Sequence, residues 1–279
     1  MKDFAGRTAV ITGAASGIGL ALARRAARDG MNLVLADIDL PRLQAAAAEL
    51  ACPPDRVLAR ACDVSLEADV AALAEAAFGR FGAVHLLCNN AGVALTRLVR
   101  EMSTADWEWV LGANLWSVIH GIRHFLPRMA AQDGESHVVN TASVAGLLST
   151  PASAAYNVGK HGVVTLSETL YQELKAENSR VGVSLLCPAW VKTGINQAGR
   201  NRQARYGEVS PAGEMSRALE ERIAKALESG RLSADDVADA VFAAVAEDRF
   251  YVIPHRKILE VVKRRCEDIL EGRNPSPAW

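Results

Sequence analysis

The stretch RTAVITGAASGIGLALARRAAR, residues 7–28, decides the fold of this chain. It opens with a β-branched run over Thr8–Thr12 and closes with apolar residues at helical spacing over Ile18–Arg28. The glycine-rich segment GAASGIG, residues 13–19, lies between them. A strand, a glycine turn and a helix form the context of a dinucleotide motif, because such a turn admits a pyrophosphate beside the helix N-terminus. A plain glycine-rich turn is the alternative interpretation of the GxxxGxG spacing.

Short strand-like runs alternate with longer helical patterns along the rest of the chain. The predicted strands are Thr8–Thr12, Asn32–Ala36, Val57–Arg60, Val84–Cys88, His137–Thr141, Val181–Leu186 and Phe250–Ile253. The predicted helices are Ile18–Arg28, Pro41–Leu50, Glu67–Phe81, Asn114–Ala131, Ala154–Glu177 and Ala234–Ala246. This alternation, with nearly continuous apolar strands, predicts an α/β fold with a doubly wound parallel sheet.

The 279 residues are predicted to form one domain, residues 1–279, rather than two small ones, because no Pro/Ser-rich linker divides them. Residues 194–232 interrupt the alternation and are expected to hold one or two short helices. Long excursions of this kind in compact domains are often lids, so a substrate lid is predicted here. A surface excursion without an active role is the alternative.

Composition and charge argue against several classes of function. The net charge is −1 with both signs interspersed, which argues against nucleic-acid or membrane-surface binding. No apolar run is long enough to suggest a membrane span. The five cysteines form no CxxC pair, and they indicate reduced thiols of a cytoplasmic protein. The N-terminal MKDFAGRTAV also lacks the long apolar stretch of a secretion signal.

No metal site is expected. His120 and His124 are four residues apart, but the segment HGIRH lacks the glutamate of a zinc-binding HExxH helix. They are interpreted as a surface or subunit-contact pair.

Ser143, Tyr156 and Lys160 follow one another at intervals of 13 and 4 residues. Because four residues are about one helical turn, Tyr156 and Lys160 share a face of the predicted helix. The ammonium is expected to lower the pKa of the phenol from ~10, which would make Tyr156 an acid/base at neutral pH. Ser143 closes the strand-like run VVNTAS and can supply a hydroxyl beside it. A surface Tyr–Lys pair is the alternative for this spacing alone.

Together these motifs resemble the signature of the short-chain dehydrogenase/reductase family. The matching elements keep the family's order over roughly residues 6–193: TGAASGIG at 12–19, NNAG at 89–92, Asn114, Ser143, Tyr156 and Lys160. The resemblance implies a Rossmann-type sheet and an oxidoreductase acting on a small-molecule alcohol or ketone. It also implies a substrate loop at residues 194–232. By family habit the protein would be a homotetramer or homodimer, with Asn114–Ala131 and Ala154–Glu177 as contact helices.

The resemblance also assigns roles in the reaction. Tyr156 exchanges a proton with the substrate oxygen, and Ser143 stabilises charge on that oxygen. Lys160 bonds the nicotinamide ribose, and Asn114 anchors a water in a proton relay, caps a helix, or does both. The expected cofactor contacts are Gly13, Ser16, Gly17, Ile18, Gly19, Asp37, Asp63, Val64, Asn90, Ala91, Gly92, Tyr156, Lys160, Val191 and Thr193. The segment PAWVKT, residues 188–193, has Ala189 where the family usually has glycine.

The residue at the end of the second strand favours NAD over NADP. Asp37 lies 24 residues after Gly13, where a carboxylate can accept bonds from the ribose hydroxyls and repel a 2′-phosphate. A loop or helix-capping aspartate is the alternative, although Asp39 could serve as the cap. Arg42 is the reservation, because it could reach toward a phosphate. Asp63, predicted to contact adenine together with Val64, could equally form an aspartate turn.

The predicted pocket walls are apolar. Val93, Val144 and Trp190 flank the motifs and are the candidate substrate contacts, with Leu147 and Leu148 beside them. They indicate an apolar secondary alcohol or ketone. Three lid arginines could instead close over an anionic substrate group, or form a solvated basic face: Arg200, Arg202 and Arg205.

Two other functions remain open at this level. Within enzymes the alternative is an NADP-dependent carbonyl or 3-oxoacyl reductase. From another class the alternative is a non-catalytic NAD(H)-sensing or scaffold protein, against which the complete set of four catalytic residues argues.

Overall fold

A computed structural model of the chain describes residues 1–277 and shows an alternating α/β architecture. The strands are β1 (Thr8–Thr12), β2 (Asn32–Asp37), β3 (Val57–Ala61), β4 (Leu86–Asn89), β5 (Ser136–Thr141), β6 (Val181–Leu186) and β7 (Tyr251–Val252). The helices are α1 (Gly17–Arg28), α2 (Leu40–Ala48), α3 (Glu67–Phe81), α4 (Thr104–Leu111), α5 (Ser117–Ala131), α6 (Ala154–Ala176), α7 (Glu214–Glu228), α8 (Ala234–Ala246) and α9 (Leu259–Leu270).

The seven strands form one parallel sheet in the order β3-β2-β1-β4-β5-β6-β7. Its direction of winding reverses between β1 and β4. In such sheets ligands bind in the crevice beyond the carboxyl ends of the strands at the reversal. The predicted α/β fold, a Rossmann-type doubly wound parallel sheet, is confirmed.

Helices cover both faces of the sheet, which explains why the central strands are apolar throughout. Leu22 of α1 and Phe242 of α8 belong to the core on one face. Leu73 of α3 and Phe125 of α5 belong to the core on the other. All five residues of β1 are buried between the two layers.

The predicted helix over Asn114–Ala131 is wrong at its start. Helix α4 precedes it and is capped by Ser103, whose side chain and that of Asp106 each accept the other's backbone N–H. A π-helical turn, Gly112–Trp116, then joins α4 to α5. Asn114 therefore lies inside a continuous helical path and is not an N-cap. Helix α9 was also not predicted.

The segment over residues 194–232 contains two short 3-10 turns, Ile195–Asn201 and Ala204–Tyr206, followed by α7. Helix α7 has 15 residues and is longer than predicted. A buried ion pair of 3.0 Å joins Arg202 to Asp106 of α4. Within residues 1–277, no helix is both long and apolar enough to cross a membrane.

Candidate active site

The loop between β1 and α1 depends on glycine at two positions. Gly13 has a φ of +68°, and a Cβ there would stand 2.9 Å from Cα of Ala91. A Cβ on Gly19 would stand 2.1 Å from the carbonyl oxygen of Gly13. The loop therefore packs tightly on the β4 loop while it borders a cavity of about 420 Å³ at the carboxyl edge of the sheet.

Every residue predicted to contact cofactor or substrate lines this cavity, together with Ser143, whereas Asn114 does not. The lining residues in question are Gly13, Ser16, Gly17, Ile18, Gly19, Asp37, Asp63, Val64, Asn90, Ala91, Gly92, Val93, Ser143, Val144, Tyr156, Lys160, Trp190, Val191 and Thr193. The fold thus brings these residues together from the ends of six strands and from α6. Their roles remain predictions.

Asp37 at the end of β2 orders the loop and faces the cavity. One carboxylate oxygen accepts the N–H of Ala15 at 3.0 Å and the other accepts the N–H of Asp39 at 3.1 Å. Asp39 in turn caps α2 by accepting the N–H of Arg42. Since each carboxylate oxygen can accept a second bond, Asp37 remains able to bind a diol. Arg42 is exposed and does not line the cavity.

Asn90 holds the β4 loop against β1. Its side-chain amide donates to the carbonyl of Thr12 at 3.0 Å, and its backbone N–H donates to the Thr12 hydroxyl at 3.0 Å. Asp63 does form an aspartate turn, because it accepts both the N–H and the hydroxyl of Ser65. Its other oxygen accepts a bond of 2.6 Å from Arg205 of the lid segment.

Ser143 and Tyr156 meet at the cavity wall. The Ser143 hydroxyl donates to the carbonyl of Pro188 at 3.3 Å and accepts the N–H of Ala145 at 3.1 Å. It is also the hydrogen-bond partner of Tyr156. Lys160 follows one turn later on α6, with Nζ 5.7 Å from the centre of the Tyr156 ring. Its ammonium donates to the carbonyl of Thr141 at 2.7 Å.

Burial changes the expected electrostatics of this group. It raises the pKa of Tyr156, and the hydrogen bond with Ser143 offsets only part of that rise. The predicted lowering of the phenol pKa by the ammonium is therefore not seen. Burial also lowers the pKa of Lys160 to about 8. The sequence spacing placed the two groups correctly, but it carried no information about the desolvation that determines their protonation.

Asn114 is fully buried and does not line the cavity. Its amide donates to the carbonyls of Val93 and Val110, each at 2.8 Å. Within the described residues its carbonyl oxygen has no hydrogen-bond partner. A Cβ built on Gly92 would stand 2.6 Å from that oxygen and 3.5 Å from Nζ of Lys160, so the two polar atoms lie on the same side of Gly92.

Part of the cavity lining is apolar. Val93, Val144, Leu148 and Trp190 line the cavity, as predicted, whereas Leu147 does not. Ile223 and Leu227 of α7 and Ile258 also line it and were missed. The i,i+4 spacing of the α7 pair is a signal that could have identified them, since it gives that helix one apolar face.

The three lid arginines do not form a common basic surface. Arg202 is buried against Asp106 and Arg205 pairs with Asp63. Only Arg200 lines the cavity, and its guanidinium donates to two lid carbonyls. The three arginines together therefore form neither a clamp for an anionic substrate group nor a solvated basic face.

The histidine pair is also different from the prediction. His120 is buried and stacks on Trp116, whereas His124 is partly exposed and bonds Glu67. Over residues 1–277, no group of three or more His, Cys, Asp or Glu side chains could hold a metal ion.

Comparison with known proteins agrees with the family resemblance of the sequence motifs. Residues 7–204 match the family described as short chain dehydrogenase. The CLA biosynthesis dehydrogenase/reductase of Lactiplantibacillus plantarum is 33% identical over 277 residues, covering 99% of this chain and 97% of that protein. The C alpha-dehydrogenase of a Sphingobium species is 31% identical over 280 residues, with coverage of 99% and 89%. A solved short chain dehydrogenase/reductase from Burkholderia phymatum, in complex with NAD, is 47% identical with a TM-score of 0.94, covering 99% of this chain and 98% of that one.

Proposed function

Because the chain belongs to the short-chain dehydrogenase family, we propose that it is an oxidoreductase that moves a hydride between NAD and a secondary alcohol or the matching ketone. The observation that carries the proposal is the meeting of Ser143, Tyr156 and Lys160 at the wall of a cavity that also contains the glycine loop. Bound NAD would supply the hydride acceptor. The protein's own residues position the substrate and move the proton.

Tyr156 is the proton-transfer group in this proposal. As a phenol it donates to the ketone oxygen, and as a phenolate it takes the proton of the alcohol. The Ser143 hydroxyl, which is bonded to Tyr156, would turn its single proton from the Pro188 carbonyl to the same substrate oxygen and stabilise its charge. The raised pKa of Tyr156 favours the phenol at neutral pH, so ketone reduction starts from the prevailing form.

The proton route continues through Lys160 and Asn114. The unpartnered carbonyl oxygen of Asn114 and Nζ of Lys160 both approach the same point over Gly92. A water bonded to both would connect the ammonium to the buried amide. This supports the relay role of Asn114 that the family resemblance implies.

NAD is preferred over NADP in this proposal. Asp37 is buried at the cavity edge and its carboxylate would repel a 2′-phosphate, while Arg42 does not line the cavity. The glycine loop lines the cavity at the N-terminus of α1, which is where a dinucleotide motif holds its pyrophosphate. The NAD complex of the Burkholderia relative points the same way.

The substrate is proposed to be apolar at the side away from the reacting carbon. Trp190, Ile223 and Leu227 belong to the apolar part of the cavity lining, and two of the three arginines of the 194–232 segment are already paired with carboxylates. The lid over residues 194–232 would close over the substrate, since α7 contributes two of these apolar contacts.

The experiment is a turnover assay with NAD and NADP on matched alcohols and ketones. We expect 1-phenylethanol and acetophenone to be converted, and NAD to give the higher kcat/KM. A clear preference for acidic ketones would contradict the apolar substrate. Higher efficiency with NADP would support the carbonyl or 3-oxoacyl reductase alternative. Tight NADH binding without turnover of any alcohol would support the sensor alternative.

Assembly and location form a separate part of the proposal. Trp116 and Val158 are 51% and 50% exposed on the helical surfaces expected to form subunit contacts. We therefore propose a homotetramer or homodimer, and a mass from light scattering that equals one chain would contradict it. The five cysteines are free thiols, which fits the reducing cytoplasm.

A further inference from the structure

The peptide unit between Pro188 and Ala189 links two distant parts of the site. Its carbonyl accepts the Ser143 hydroxyl at 3.3 Å and the N–H of Val144 at 3.0 Å. Its N–H donates to Nδ1 of His255 at 3.2 Å. Because the unit is planar and trans, its C=O and N–H point in opposite directions. One rigid plane therefore lies between the imidazole and the serine.

His255 reaches this plane from the far end of the chain. It follows β7 and precedes the short turn Arg256–Ile258, more than 60 residues after Ala189. Accepting an N–H requires a lone pair on Nδ1, so the ring is neutral with its proton on Nε2. Burial lowers the pKa of His255, against the opposing effect of a backbone hydrogen bond at Trp190, which helps to keep the ring neutral.

On the other side of the plane, Ser143 has little freedom. Its oxygen accepts the N–H of Ala145 and bonds Tyr156, while its proton lies on the Pro188 carbonyl. The position of that carbonyl thus sets the resting position of the hydroxyl, from which its proton turns to the substrate oxygen. Rotation of the peptide plane would displace the Ser143 hydroxyl.

We propose that His255 is a positioning residue for Ser143 and acts through the Pro188–Ala189 peptide. The imidazole holds the N–H, which fixes the plane, and hydrogen bonding at one end of a peptide strengthens the acceptor at the other. Position 189 is alanine in this chain, and the imidazole secures its backbone from the side opposite to the catalytic serine. The kinetic consequence rests on the function proposed above, whereas the structural link does not.

The kinetic test is a double-mutant cycle with 1-phenylethanol and NAD as the probe. His255→Leu removes the acceptor and should lower kcat by about five- to tenfold, the scale of one lost hydrogen bond. In a Ser143→Ala background the same change should alter kcat by less than about twofold, because the group being positioned is gone. His255→Asn, whose amide oxygen lies near the position of Nδ1, should recover most of the rate. An equal loss in both backgrounds, or no loss in the wild type, overturns the proposal.

The second test needs no substrate. Hydrogen–deuterium exchange in His255→Leu should quicken at the amides of Ala189 and of Val144, which lie on opposite sides of the plane. His255→Asn should restore slow exchange, and Lys257→Leu, an exposed neighbour, is the matched control that should not change it. Unchanged exchange at Val144 overturns the proposal, even if 1-phenylethanol is not turned over. If wild-type protein is inactive but Val144 responds, the proposed function fails and the positioning link stands. Should His255→Leu not fold, His255→Gln, with its oxygen one carbon farther out, takes its place.

Discussion

Tyr156 is the residue on which the proposed chemistry depends most directly. Tyr156→Phe removes the hydroxyl and keeps the ring, so the cavity wall is preserved. We expect kcat to fall about 10²–10⁴-fold, the usual contribution of a general acid–base group. NADH affinity, measured by fluorescence titration, should change little. A variant that retains activity within a few-fold of the wild type would rule out Tyr156 as the proton donor.

The pH dependence should follow the same phenol. Alcohol oxidation needs the phenolate, and burial raises the pKa of Tyr156 above its ordinary value. The rate of oxidation should therefore rise as pH increases above neutrality, and the rate of ketone reduction should not. Steady-state rates in both directions from pH 6 to pH 10 check this sign. An oxidation rate that is flat over that range would show that a different group, or a step other than chemistry, controls turnover.

Asp37 is the residue proposed to determine the choice of cofactor. Asp37→Ser removes the charge that repels a 2′-phosphate but keeps a hydroxyl at the end of β2. We expect the ratio of kcat/KM for NAD to that for NADP to fall by at least about tenfold, which corresponds to ~1.4 kcal/mol. Asp39→Ser changes a carboxylate that caps α2, and it is the matched control that should leave the ratio unchanged.

Some features of single residues could be predicted from the sequence and others could not. The spacing of Tyr156 and Lys160 placed both at the cavity because a helix has a fixed period. The direction of the Tyr156 pKa depends on burial, which spacing does not encode. His255 carries no motif, since its contact is with a backbone N–H that any residue can supply.

At the scale of elements, the segment over residues 194–232, which is the proposed lid, is attached by two ion pairs that differ in burial. Arg202 and Asp106 have side chains only 5% and 0% exposed, while Arg205 is 39% exposed where it meets Asp63. Burial opposes ionisation of Asp106, but bonds from Ser210 and Ser103 and the charge of Arg202 hold its pKa below the usual range. The carboxylate is therefore charged and buried.

Removing the two arginines should have unequal effects. Arg202→Ala leaves a buried carboxylate without its cation and should cost about 3 kcal/mol in unfolding free energy, the lower end for such a change because Ser103 still bonds it. Arg205→Ala is the matched control and should cost about 1 kcal/mol or less. Urea unfolding of both variants measures the difference. Equal losses would mean that the ion pair to Asp106 does not anchor the lid.

Helix α4 and the start of α5 were missed for one physical reason. Helix α4 contains DWEWV, whose Trp109 packs with residues of the 194–232 segment and lines the cavity. The π-helical turn Gly112–Trp116 then shifts the register between α4 and α5. A periodic pattern cannot reveal a helix that changes phase. The strands of the parallel sheet were predicted close to their observed bounds, because burial on both faces makes the central strands continuously apolar.

At the scale of the whole molecule, β5, β6 and the segment after α8 are joined through His137. Its Nε2 lies 2.8 Å from the hydroxyl of Ser184, which itself donates to the carbonyl of Arg249 at 2.7 Å. The serine oxygen must therefore accept the Nε2 proton. Asp248 lies 4.0 Å from Nδ1, but the neutral ring carries its proton on Nε2 and has none to donate to that carboxylate. Both Ser184 and His137 are buried, and their hydrogen bond links β5 to β6 inside the protein.

The pH dependence of global stability should report on this histidine. Burial, aided by the N-terminus and Lys175 and opposed by Asp248, lowers the pKa of His137 to about 4. In the unfolded chain the pKa of this histidine is ~6.5. Between pH ~4 and ~6.5 the unfolded chain therefore holds more protons than the folded protein, so the free energy of unfolding falls as pH decreases. The contribution of His137 is complete above ~6.5, and by pH 4 about 3 kcal/mol of it should be lost.

His137→Gln isolates this effect, because the glutamine amide can keep a donor to Ser184 without titrating. Urea unfolding at one protein concentration, at pH 8 and at pH 5, gives the comparison. At pH 8 the free energies of unfolding of the two proteins should differ only by the effect of the substitution itself. At pH 5 the wild type should have lost more of its unfolding free energy than the variant. The carboxylates titrate in both proteins, so their contribution cancels in the difference. If the offset is the same at both pH values, then His137 is not held neutral by burial, and acid sensitivity of the fold must arise elsewhere.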